Sequence, residues 1–162
     1  MKLKLMTAMI GLSAALFGSQ VILAATEPFT AEDIQLQKDA IQYKAYIPAQ
    51  YVLFEAIHGD LNKDGIQDLV LIVKATDPAQ WVNHEYRGKL DRNRRGIIVL
   101  LNEKGGYKKL TQNLSAFSSE NEEGGVYYAP ELWIEVNKGL LNVHYGHGRY
   151  GYWNYSFRLH NQ

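Results

Sequence analysis

The chain has no cysteine among its 162 residues. That rules out a disulfide framework, thiol catalysis and a lipid carried on cysteine. It has no excess of either charge, with 17 Lys and Arg against 17 Asp and Glu. A neutral balance gives no electrostatic case for a nucleic-acid partner. No glycine-rich phosphate cradle follows a strand-like run, and no G-x-S-x-G elbow is present. There is no linker rich in Pro or Ser, no internal repeat and no sign of a second domain. The length suits one domain with a real core, held by burial, hydrogen bonds and any metal it binds.

The longest uncharged stretch lies at the start. Lys2 and Lys4 precede a mostly apolar run over residues 5–17, and Ala24 and Ala25 are small. This is the layout of a secretory signal peptide over residues 1–25, cut after Ala24 or Ala25. The other reading is an uncleaved anchor, but Gly11, Ser13, Gly18, Ser19 and Gln20 make a poor membrane span. Cleavage removes two lysines and no acid, which moves the formal charge from zero to about −2. The short, lysine-led leader points to bacterial export, to the periplasm or beyond. Residues 26–162 then form a single β-rich domain with no membrane association.

Within that domain, Thr30-Ala-Glu-Asp33 has a hydroxyl cap and early acids, so a short helix is expected over residues 31–41. After Pro48 the pattern becomes strand-like. Strands are expected over 51–57, 67–74, 97–101 and 107–110, the last two joined by a turn at 103–106. Leu69–Val73 is apolar at every position, the mark of a strand covered on both faces. Residues 76–95 read as a long surface loop with a short helix near 78–84, and residues 115–125 as another loop. Leu132, Ile134 and Val136 alternate with polar neighbours, Asn137-Lys-Gly139 turns the chain, and Leu141, Val143 and Tyr145 return. In the last strand Trp153, Tyr155 and Phe157 alternate with Tyr152, Asn154 and Ser156, which points the first three at the core. The fold class is mainly β (α+β): an antiparallel meander of about seven strands with one short N-terminal helix.

The sharpest chemical signal is HGDLNKDGIQDLVLIVK, residues 58–74. Counted from Asp60, side-chain oxygens fall at the first, third, fifth and ninth positions, with Gly65 at the sixth. Alternate residues of a tight loop point inward, so Asp60, Asn62 and Asp64 can share one centre. Gly65 permits the sharp reversal. The Ile66 carbonyl and Asp68 can add a main-chain and a further carboxylate oxygen. A hard, oxygen-only set of this kind suits Ca2+. The residues alone leave a second reading open, a metal-free turn built on Asx hydrogen bonds. The EF-hand pattern fails at its twelfth position, where Leu71 stands in place of Glu, and a strand follows instead of a helix.

From Gly59 to Leu69, GDLNKDGIQDL resembles the strand–loop–strand calcium motif of FG-GAP or VCBS-type repeats, as in integrin β-propeller blades. The resemblance implies calcium held by Asp60, Asn62, Asp64, the Ile66 carbonyl and Asp68. It covers only residues 51–73, and the chain is too short for a full propeller. The layout is similar to small exported proteins that carry one such motif, and this implies no particular activity.

Other groups carry weaker signals. His144 and His147 lie three apart on strand-like sequence, where side chains face opposite ways, so they read as ordinary histidines and not a metal pair. Arg87, Lys89, Arg92, Arg94 and Arg95 read as a solvated charge run, with an acidic or phosphate partner as the alternative. Trp133, Tyr150 and Tyr152 are the aromatics free to face outward, a candidate surface for a glycan or a protein. The expected function is an exported, calcium-stabilised binding or structural module meeting an envelope glycan or protein. One alternative is a hydrolase of envelope polymers using Glu55 and His58 beside Asp60. Another is an inhibitor of a host or rival enzyme.

Overall fold

The helix begins where its cap says it should. In the computed structural model, which describes residues 29–121 and 131–160, Thr30 Oγ1 accepts from the Asp33 amide at 3.1 Å. The Asp33 carboxylate takes the Thr30 amide in return at 2.9 Å, closing a capping box. Helix α1 (Ala31–Gln42) then sets Leu36 and Ala40 against the sheet below. A 3-10 turn, Lys44–Tyr46, brings Tyr43, Tyr46 and Ile47 onto the same surface before Pro48 turns the chain.

Nine strands follow among the described residues: β1 (Tyr51–Gly59), β2 (Asp68–Ala75), β3 (Trp81–His84), β4 (Gly88–Asp91), β5 (Arg95–Glu103), β6 (Gly106–Phe117), β7 (Glu131–Asn137), β8 (Leu140–Gly146) and β9 (Tyr152–Arg158). They make three antiparallel sheets, ordered β1-β2-β5-β6, β3-β4 and β7-β8-β9. The architecture is mainly β with one helix, and it closes into neither a barrel nor a propeller. Among the described residues no helix is long and apolar enough to cross a membrane. The expected leader, residues 1–25, lies outside the described residues.

β2 and β5 sit in the middle of the four-stranded sheet and are covered on both sides. Leu69, Leu71, Val73, Ile98 and Leu100 pack with Leu53 and Tyr43 under the helix. Val70, Ile72 and Val99 pack on the opposite face with Ile134, Leu141, Val143 and Tyr145 of the β7-β8-β9 sheet, the second sheet of the sandwich. The continuous apolar run thus serves two cores at once, as such runs do in strands covered on both faces.

Three expectations need correction. The count of about seven strands is low by two, because residues 76–95 are not one loop. The 3-10 turn at Pro78–Gln80 falls at the start of the short helix expected there, but the hairpin β3-β4 follows it, with Trp81 paired to Asp91 and Val82 to Leu90. Polar residues outnumber apolar ones there, so the period-two signal is weak. β6 also runs on through Ser115 to Phe117, residues expected in a loop. Most consequentially, Trp153, Tyr155 and Phe157 do not fill the core. They are 37%, 58% and 54% exposed, on a strand whose every residue is exposed. They do lie on the core-facing side, opposite Tyr145, Val143 and Leu141 of β8, but β9 overhangs the edge of the sandwich.

Candidate functional site

The acidic loop joins β1 to β2, and its geometry is built from its own side chains. Lys63 and Gly65 take left-handed backbone angles, with φ of 63° and 86°. Asp60 Oδ1 and Asn62 Oδ1 both accept from the Asp64 amide, at 3.2 and 3.0 Å, so those two oxygens face one point. Asp60 Oδ2 accepts from Gly65 N at 2.9 Å and Asp64 Oδ1 from Ile66 N at 2.8 Å. Asn62 Nδ2 donates to Asp64 Oδ2 at 2.9 Å. The structure therefore brings Asp60, Asn62 and Asp64 together on the inside of the loop.

Asp68 is placed differently. It is fully buried, and its two oxygens accept the amides of Leu61 and Asn102, each at 2.8 Å. It ties the loop to the end of β5. Asn102 reinforces the tie by donating from Nδ2 to the Gln67 carbonyl at 3.1 Å. The Ile66 side chain points to solvent.

These donors fit a hard cation. A carboxylate oxygen that accepts one N–H keeps a second lone pair. A carboxylate oxygen of Asp60 and the amide oxygen of Asn62 converge on the Asp64 amide, the Asp64 carboxylate stands against Asn62, and water can reach the half-exposed loop to complete a shell. Among the described residues no three Asp, Glu or His side chains gather at one point, so the amide of Asn62 is needed in the set.

The loop also holds the two sheets together. Leu61 is 6% exposed and packs in the core shared by Val70, Val99, Ile134 and Leu141. At Gly59 the β7 strand comes so close that a Cβ would lie 2.5 Å from the Val136 Cβ. Lys63 lays its stem over Gly139 in the β7–β8 turn. Anything that stiffens this loop stiffens the seam of the sandwich.

On the outer face of the second sheet, Trp133 and Tyr152 are 58% and 71% exposed and share one row. His144 stands between them, 6.4 Å from the Trp133 ring and stacked 5.5 Å from Tyr152. His144 Nδ1 is hydrogen-bonded to Asn154 Oδ1. Tyr150 is exposed in the 3-10 turn Gly148–Tyr150, with no ring contact to that row. His147 lies on the other side beside Tyr145 at 5.1 Å, so the H-x-x-H is split across two faces. The place of His144 in the row was missed in the sequence. The signal was its register with Trp133, which only the hairpin turn at 137–139 could have supplied.

Glu55 and His58 are not brought together. Register sets Glu55 opposite Ile72 and His58 opposite Leu69, residues of the two different core faces. His58 meets Tyr43 at 5.9 Å under the helix. Tyr43 is itself pushed up to about 12 by burial and by Tyr107. Half-burial holds the Glu55 carboxyl above its ordinary value, and the Arg95 guanidinium offsets part of that.

The basic run is dispersed. Arg87 donates to Asn121 Oδ1 at 2.9 Å, Lys89 sits 4.9 Å from the Trp81 ring centre and Arg94 donates to the Ser115 carbonyl at 3.1 Å. Arg95 is buried over Phe54 with its Nε on the Ser118 carbonyl. A second ionic group was not foreseen. Lys74 Nζ lies 2.9 Å from Asp91 and 3.0 Å from Glu120, pinning the β3-β4 hairpin to β2. Burial disfavours the Lys74 charge, but the two carboxylates more than offset it and hold the ammonium above its usual value.

No protein-family model, no curated protein and no solved structure matches the chain.

Proposed function

We propose that the chain is an exported binding module of the bacterial envelope or extracellular space, stabilised by calcium in the loop from Asp60 to Asp68. Asp60, Asn62, Asp64 and the Ile66 carbonyl would hold the ion, with Asp68 fixing the loop from below. Trp133 and Tyr152, with His144 between them and Tyr150 exposed in the turn before β9, would be the aromatics offered to an envelope glycan or protein. The observation that carries the proposal is the meeting of the Asp60 and Asn62 oxygens at the Asp64 amide, with the Asp64 carboxylate against Asn62, in a loop whose Leu61 is buried between the two sheets. Calcium supplies the positive charge that clustered carboxylates lack. A leader of the secretory kind supports a destination where calcium is millimolar, enough to fill a weak site.

The expected gain is modest. A site with a Kd of about 0.1 mM in about 1 mM calcium gains roughly 1.4 kcal/mol. That corresponds to a rise of roughly 5 °C in Tm for a domain of this size. Calorimetric titration of chelator-treated protein should show one site, and the Tm rise should vanish in Asp64→Ala. Absence of both heat and Tm shift at millimolar calcium would refute the proposal and leave the metal-free Asx turn.

A further inference from the structure

Among the described residues, β9 has one neighbouring strand and no second. It is the last strand of β7-β8-β9, and it pairs with β8 from Tyr152 to Arg158 without a register shift. Edge strands normally defend themselves with Lys, Pro, a bulge or a covering element. β9 has no Lys, no Pro and no bulge, and all seven of its residues are exposed. Its core-side aromatics extend the buried row Tyr145, Val143 and Leu141 of β8 into solvent. Beside them an apolar groove of about 240 Å3 opens between the sheets, with Leu61, Val99, Leu110, Leu141, Phe157 and Leu159 in its lining.

We propose that β9 pairs with β9 of a second copy of this chain, antiparallel about Tyr155, so that two three-stranded sheets become one of six. The sequence of the strand is self-complementary about that point. A two-fold axis through Tyr155 sets Trp153 opposite Phe157 of the second copy, on the core side, and Tyr155 opposite itself. On the outer side Tyr152 falls opposite Arg158, a ring facing a guanidinium. Asn154 falls opposite Ser156, two residues able to hydrogen-bond across the pair. Arg158 is the strand's one charge and meets no like charge. All seven residues are used, and the apolar row continues unbroken across the axis. A partner strand of unrelated sequence would need the same alternation, which the chain already supplies to itself.

The area sets the strength. Each aromatic side chain removes about 150–250 Å2 from water when fully buried. Three that start about half exposed therefore contribute roughly 300 Å2 per copy. At roughly 600 Å2 for the two copies together, these side chains fall below the range of stable interfaces, so the dimer should be weak and reversible, with a Kd of tens of micromolar or so. The strand pairing uses none of the oxygen-bearing residues of the calcium loop.

Sedimentation velocity over about 1 to 300 µM tests it. The expected result is monomer giving way to dimer. Tyr155→Lys and Tyr155→Glu should each weaken the dimer at least tenfold, with circular dichroism and Tm unchanged, because Tyr155 is exposed. Mixing the two variants in equal amounts should restore the dimer, because the axis sets Lys against Glu. As a second variant, Tyr155→Cys introduces the one thiol of the chain at the axis. Antiparallel neighbours there lie about 4.5–5.5 Å apart between Cα atoms, within disulfide reach. Mild oxidation should cross-link it, and should not cross-link Tyr86→Cys. A parent chain that stays monomeric, lysine and glutamate variants that dimerise like the parent, a mixture no better than its parts, or a Tyr155→Cys variant that does not cross-link would each overturn the proposal.

Discussion

β2 and β9 are strands of nearly equal length, 8 and 7 residues, and both are rich in apolar or aromatic side chains. Leu69–Val73 of β2 is wholly buried, whereas no residue of β9 is. β2 has β1 and β5 on its edges, the helix layer on one face and the second sheet on the other. β9 has β8 on one edge and a groove where the opposing layer stops. Apolar content alone does not bury a strand. Burial needs neighbours on the edges and layers on the faces, and these come from residues far away in sequence.

The comparison is sharpest when both strands are cut back. Ile72→Ala removes a fully buried side chain from the core between the sheets and should cost about 4 kcal/mol, within the usual 2–5 for such truncations. Chemical denaturation reads it directly. A cost near 1 kcal/mol would mean that the second sheet does not press on β2.

Asp68→Ala comes next. It leaves the buried amides of Leu61 and Asn102 without an acceptor and should cost about 3 kcal/mol, measured with chelator so that no ion contributes. Asp68→Asn keeps one acceptor and should fall between. If Asp68→Ala is mild in chelator and severe only in calcium, the carboxylate serves the ion more than the backbone.

These two positions also show how far the sequence could be read. The double covering of β2 follows from five consecutive apolar residues, and the helix start from Thr30 and Asp33, because both signals are local. The gathering of Asp60, Asn62 and Asp64 in one hydrogen-bonded loop follows from their spacing around Gly65. The hold of Asp68 on Asn102 does not, because its partner lies 34 residues on. Nor does the Lys74 contact with Glu120, 46 residues away. In β9, alternation correctly grouped Trp153, Tyr155 and Phe157 on one face, the side facing the core. It could not say whether another layer would reach them. The β3-β4 hairpin was hidden for a simpler reason: Trp81, Val82 and Leu90 are too few apolar residues among too many polar ones.

Phe157→Ser should be far milder than Ile72→Ala. Phe157 is already half in water, beside an open groove, with Leu141 as its cross-strand neighbour and the Tyr155 ring stacked 6.2 Å away. The expected cost is under about 1 kcal/mol in dilute protein, where monomer dominates. Denaturation at about 1 µM is the measurement. A cost near that of Ile72→Ala would erase the contrast between the strands and show that something covers β9 even in the monomer.

The smallest effect concerns Glu55, which pairs in register with Ile72 itself. Half-burial raises the folded-state value above 4.5, so the folded chain holds this proton more tightly than the unfolded chain. Stability therefore falls as pH rises from 4.5 through the raised folded value, and the loss is constant above it. Glu55→Gln removes that term. The variant should match the parent at low pH, where both side chains are neutral, and exceed it at neutral pH by on the order of one degree in Tm. Paired thermal melts across that pH range decide the matter. A variant less stable than its parent at neutral pH would mean that attraction to Arg95 outweighs burial at this site, and that the edge beside β2 tolerates charge as readily as the open edge at β9.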